Sequence, residues 1–362
     1  MNLRVSLSAK NLRNCKKQNA HTASTPSRRT LVLCIASLLA GLVAHSAEPS
    51  SASVKGLLLV TNKGDMTLSL VDPSTDRQVA TIPEDGNTGH ELAASADGKL
   101  AFVPIYGDSG VGKAGSNGQI MRVIDIAKRE IVATVDFGKG VRPHCAVLDQ
   151  KSGMLYVTTE LENSVSVIDP ATLKIVGSIP TGQAESHMLA ISHDGRRGYT
   201  ANVASGTVSV LDLENKKLLT TIPVSSKTQR ISISPDDRWV FTADQAKAQI
   251  AVIDTQTNQV ASWIPLADFA YGTTVTPDGH WLVATMGLGD LAIIDLETKK
   301  VAHTLQVPRA PQEVLIRPDG AVAYVSCDAS HQIAVIDLKE WKVKTLIDVG
   351  QKADGLAWAK AE

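Results

Sequence analysis

A chain of 362 residues with 43% apolar content is too long for a small motif and too apolar for a disordered segment. Its net charge of -1 hides an asymmetry: residues 1–46 hold seven basic residues and no acidic one, which leaves 29 basic against 37 acidic residues beyond, a net charge of -8. A body of that sign repels phosphate backbones on average, which argues against general nucleic-acid binding.

The first element is an address. Residues 31–44 (LVLCIASLLAGLVA) form an uncharged, apolar run of 14, short against the roughly 20 residues of a membrane-spanning helix. Basic residues precede it and small ones follow, the layout of a secretory signal with cleavage before Ala47. Ser27-Arg28-Arg29-Thr30-Leu31 resembles a twin-arginine signal, although any signal peptide needs positive charge here. The expected organisation is a signal peptide over 1–46, a flexible leader over 47–53 and one folded domain over 54–362. The expected location is periplasmic or secreted, with no membrane span after cleavage.

The rest of the chain repeats. Strings such as Ser-Leu-Val-Asp and Arg-Val-Ile-Asp end at Asp72, Asp125, Asp169, Asp212, Asp254, Asp295 and Asp337, a period near 42 residues after a first interval of 53. Each period parses as four short strands, with Asp-Gly turns at 97–98, 194–195, 278–279 and 319–320. That pattern predicts an all-β, seven-bladed propeller of four-stranded antiparallel blades. The folded domain opens on a second-strand sequence (GLLLVTN, 56–62) and ends on a first-strand sequence (DGLAWA, 354–359). The C-terminal strand is therefore expected to complete the N-terminal blade and close the ring.

Leu-Val-Thr-Asn (59–62), Tyr-Val-Thr-Thr (156–159), Tyr-Thr-Ala-Asn (199–202) and Tyr-Val-Ser-Cys (324–327), with VSVID at 165–169, resemble the YVTN-type β-propeller repeat family. The resemblance spans roughly residues 54–360. It implies the propeller fold, and functions that range over exported binding proteins, surface proteins and a few enzyme subunits. Val103-Pro104-Ile105 departs from the repeat, and a long insertion follows.

Repetition separates fold from site. The seven aspartates recur in every copy, so they are expected to cap the turn after strand three. The column opening each inner strand varies instead: His90, His144, His187, Gln229, Tyr271, Gln312 and Asp354, flanked by Arg142 and Arg230. In a propeller this column lies at one mouth of the central channel, which makes these nine residues the candidate ligand-binding site. His90, His144 and His187 come from consecutive blades, and imidazoles from three blades could hold zinc or copper with an open position for substrate. Residues at the blade period also serve without a metal, bonding backbone or water.

The insertion at 107–118 (GDSGVGKAGSNG) is expected on the same face, as a lid or a plain mobile loop. Its Gly110-Val111-Gly112-Lys113-Ala114-Gly115 string matches a dinucleotide fingerprint, but no helix is expected to follow. Cys145 and Cys327 belong to non-adjacent blades and are expected as buried free thiols. Two functions follow. One is an exported binding or interaction protein using the channel mouth for a small molecule or a protein, as a monomer. The other is a metal-dependent or acid/base enzyme (hydrolase, lyase or dehydrogenase subunit) with the histidines as ligands or proton carriers. No complete catalytic motif assigns catalytic residues.

Overall fold

The computed structural model describes residues 55–108 and 110–361; the expected signal segment and leader lie outside the described residues. Seven four-stranded antiparallel sheets form the seven expected blades, hydrogen-bonded from the innermost strand outward. The closing strand Ala353–Lys360 pairs antiparallel with Gly56–Asn62, from Gly56 opposite Lys360 to Asn62 opposite Ala353. Blade 1 is thus completed by the C-terminal strand, as the chain ends imply.

Burial follows position in the blade. The second strand of blade 3, Leu155–Thr159, is buried at every residue, because it is covered by blades on both sides. Such strands lose the polar–apolar alternation of a one-sided sheet. The outermost strands alternate, and most sink one aliphatic residue near their end: Ile82, Val135, Ile179, Ile222, Ile264 and Ile347 are all buried. Truncating one of these to Ala costs about 2–5 kcal/mol on the usual scale for core aliphatics.

All seven repeat aspartates do what local chemistry asks. Their Oδ1 atoms accept backbone N–H groups two or three residues on, at Ser74, Lys128, Ala171, Asn215, Gln256, Thr298 and Lys339. These bonds satisfy turn donors that would otherwise lack a partner. Among the described residues no helix is long and apolar enough to cross a membrane. Cys145 and Cys327 are buried free thiols.

Candidate functional site at the channel mouth

The variable column sits at a recurring irregularity. In six inner strands the ladder slips where the column residue lies, as between Ser186 and Met188, Thr228 and Ile231, or Pro143 and Ala146. A bulge bends the strand and re-aims a side chain. It is the local reason that the residue after the strand opening points to the mouth instead of joining the regular pleat.

Blade 2 departs further. Pro104 lies inside the second strand, Leu100–Gly107, and has no N–H to give an inner neighbour. The inner strand accordingly shrinks to Ala93–Ala94, with one bridge from Gly89 to Ile105. The freed segment 84–92 is held by other bonds. The Glu84 carboxylate accepts the Gly89 N–H, and Tyr106 N–H donates to the Thr88 carbonyl. His90 is thereby carried in a loop, fixed where its carbonyl accepts Gly355 N–H at 2.9 Å and the Thr61 hydroxyl. The long second strand delivers Tyr106 into the mouth, fully buried.

Four rings meet there. The centroids of His144 and His187 lie 3.6 Å apart, His90 stands 5.0 Å from His144, and Tyr106 lies 4.8 Å from His90 and 5.3 Å from His144. Glu160 joins them from the 3-10 turn Glu160–Glu162, which ends at Asn163 in the left-handed region. Its Oε2 accepts the Tyr106 hydroxyl and lies 3.9 Å from His187 Nδ1. Burial pushes the Glu160 carboxyl up, but His187, Tyr106 and Arg142 more than offset it and hold it below its usual value. Burial and the neighbouring His187 and His90 push His144 well below the ordinary imidazole range, so its ring is neutral near pH 7. The Nδ1 atoms of His144 and His187 and the Oε1 atom of Glu160 are buried without hydrogen-bond partners among the described residues.

Arg142 links this cluster to the insertion. Its guanidinium lies 5.6 Å from the Tyr106 ring centre, its Nε donates to Asn117 Oδ1 at 2.8 Å, and its Nη2 donates to the Lys113 carbonyl at 2.7 Å. Asp108 accepts the Ser116 N–H and ties the neck of the loop. A pocket of about 410 Å³ lies between the loop and blades 3 and 4, lined by Lys113, Asn117, Arg142, Glu160, Leu161 and Glu185 with the loop glycines. The insertion is therefore one wall of a pocket. The strand Asn117–Asp125 follows it in place of a helix, so the glycine string has no dinucleotide-binding context.

A second layer lies one residue further along the inner strands. Arg230 reaches across the axis, its Nη2 donating to Asp354 Oδ1 at 2.9 Å. Its Nη1 is 2.7 Å from Glu91 Oε1, an ion-pair contact without hydrogen-bond alignment, and 3.9 Å from Glu313. Asp354 also holds Lys63 at 3.1 Å and faces His90 Nδ1 at 3.3 Å, and Lys63 reaches Asp328 at 3.2 Å. Burial pushes the Asp354 carboxyl up, but Lys63, His90 and Arg230 outweigh it and hold it well below its usual range. Burial and the Glu91 charge push Glu313 the other way, well above its usual value. The cluster is a cation-centred lock.

Of the nine sequence candidates, the structure brings together His90, His144, His187, Arg142, Arg230 and Asp354. Gln229, beside Arg230 on blade 5, and Tyr271 and Gln312, on blades 6 and 7, are half-buried. The expected convergence of three imidazoles on zinc or copper is not what the structure places here. The centroids of the His144 and His187 rings lie 3.6 Å apart with the planes tilted by 31°. Among the described residues no three His, Cys, Asp or Glu side chains are grouped to hold a metal ion. Sequence reasoning missed Lys63, Glu91, Tyr106, Glu160 and Glu313. Glu91 and Glu313 could have been found as charges one step inside the column, and Tyr106 as the residue just beyond the Pro104 departure.

The family described as Cytochrome D1 heme domain matches residues 150–360. Among solved structures the chain is similar to Kuenenia stuttgartiensis hydrazine synthase, with 18% identity and a TM-score of 0.69, over 78% of this chain and 93% of that one. It is also similar to a functionally unknown protein from Desulfotomaculum acetoxidans DSM 771, with 13% identity and a TM-score of 0.71, over 85% of this chain and all of that one. Likeness at such identities concerns the fold alone. No protein of curated function matches the chain. The family match takes in more than half of the sequence, from the second strand of blade 3 through blade 7 with the closing strand, and the chain belongs to the Cytochrome D1 heme domain family.

Proposed function

We propose that the protein is an exported, monomeric binding propeller that takes a small polar ligand in the mouth pocket beneath the insertion. One observation carries this reading: the 410 Å³ pocket is of ligand size and is lined by Glu160, a buried carboxylate with one oxygen unpaired. Glu160, Glu185 and Arg142 give that lining charges of both signs, which suits a polar ligand. Arg142 holds the loop wall and leaves its charge beside the pocket. The acidic body and the signal-like N-terminus support export and speak against general nucleic-acid partners.

The test is native mass spectrometry, with elemental analysis for zinc and copper, of protein taken from its own compartment. A retained small molecule is expected, lost from Glu160→Gln and Arg142→Ala. A mature chain that carries nothing, in wild type and variants alike, would sink the reading. The intact mass also checks export, since cleavage is expected before Ala47.

A second reading, acid/base catalysis, is favoured by the line Tyr106–Glu160–His187, where a hydroxyl and an imidazole stand behind the carboxylate that lines the pocket. It differs from simple binding in one respect: the ligand found would be turned over, with a pH profile altered by His187→Gln.

A further inference from the structure

We infer that this chain keeps no haem in its channel, although the family it belongs to is named for one. A haem needs a flat slot and an axial His, Cys, Met or Tyr side chain facing it. Neither the axis nor the mouth supplies them.

Along the axis, Arg230 of blade 5 is bound to Asp354 of blade 1 and faces Glu91 of blade 2, so charged side chains from three blades cross the channel. The cavity beside them measures about 160 Å³, below the roughly 300–1,000 Å³ of ordinary small-molecule pockets. The inner strands leave no slack for widening. A Cβ on Gly355 would stand 2.2 Å from the His90 carbonyl oxygen, and one on Gly272 2.4 Å from that of Gln312. At the mouth, His144 is 1% and His187 4% exposed, each covered by the other's ring and by Tyr106. Among the described residues no histidine lines the axial cavity or the mouth pocket, and the Cys145 and Met188 that do line the axial cavity face a space of about 160 Å³, too small for a haem. His280 lines a groove of about 460 Å³ between blades 5 and 6, beside Trp239 and Phe241. The same groove recurs between blades 3 and 4, beside Met154 and Tyr156, so it belongs to the blade repeat.

The reach of the family match agrees. Residues 150–360 leave out His90, Tyr106, Arg142 and His144, and of the stacked rings include only His187. The shared stretch holds Glu160, His187, Arg230 and Asp354, and leaves out the blade 2 side of the ring cluster with Arg142 and His144.

The experiment purifies the mature chain from a haem-supplemented host and titrates the metal-free protein with haemin. Expected are no iron by elemental analysis, no shifted Soret band at equimolar haemin, and an unchanged Tm. One equivalent of bound haemin with a shifted Soret band, lost in the double substitution His144→Ala/His187→Ala, would overturn the inference. One equivalent of haemin that binds the double variant equally, with a shifted Soret band, would overturn it as well; weak binding without a Soret shift agrees with it. The outcome is independent of the mouth-pocket reading, because a non-haem ligand retained by the native protein leaves the visible spectrum blank.

Discussion

Replacing Arg230 with Met keeps most of the side-chain volume and removes the one cation that touches Glu91, Asp354 and Glu313. Asp354 keeps Lys63 and His90, but Glu91 is left buried without its counter-charge. Breaking a buried ion pair from one side costs about 3–5 kcal/mol, most of it the stranded charge. In a domain of this size each kcal/mol moves Tm by about 2 °C, so a drop of roughly 6–10 °C is expected by calorimetry at pH 7. Adding Glu91→Gln neutralises the stranded partner and should recover a substantial part of the drop, a coupling visible in a double-mutant cycle. A Tm for Arg230→Met within 1 °C of wild type would show that the lock contributes nothing and refute the reasoning.

Removing residues 353–362 takes away the inner strand of blade 1 and exposes the edge of Gly56–Asn62. Loss of the monomer peak in size-exclusion chromatography is expected, and an unchanged elution and Tm would contradict ring closure. Burial lifts the Glu84 carboxyl from 4.5 to about 7, against the Gly89 N–H that lowers it. The folded state therefore holds a proton that the unfolded chain releases, and stability falls as pH rises from 4.5 to about 7, by roughly 3 kcal/mol. Glu84→Gln keeps the acceptor for Gly89 and should stabilise the protein at pH 8 but not at pH 4.5; equal denaturation midpoints for the two proteins at pH 8 would contradict this. His144 works in the opposite sense. Its imidazole is held well below 6.5 by burial and by His187 and His90, so the unfolded chain takes the proton first and stability is lost as pH drops through about 6.5. His144→Gln should flatten that acid limb in a stability–pH series.

The repeat made much of this molecule legible before any coordinates. A string ending in Asp at seven positions sets blade count, turn positions and the role of each aspartate, because capping is local and depends only on residues two or three apart. Mismatched chain ends imply closure for the same reason: a strand sequence without its neighbour must find one. The variable column marked the mouth at which His90, His144, His187 and Asp354 gather, since a residue that changes kind from blade to blade is not needed by the blade. Sequence could not decide what those residues do to one another. Arg230 meets Asp354 across 124 residues, and Tyr106 meets Glu160 across 54, at separations set by the circumference of the ring. The period places each residue at the mouth but is blind to side-chain reach and to the slip in each inner strand. It is equally blind to the excursion that Pro104 forces on blade 2. The period brings three histidines to one mouth, and packing adds that their rings gather there with Tyr106, above a charged lock.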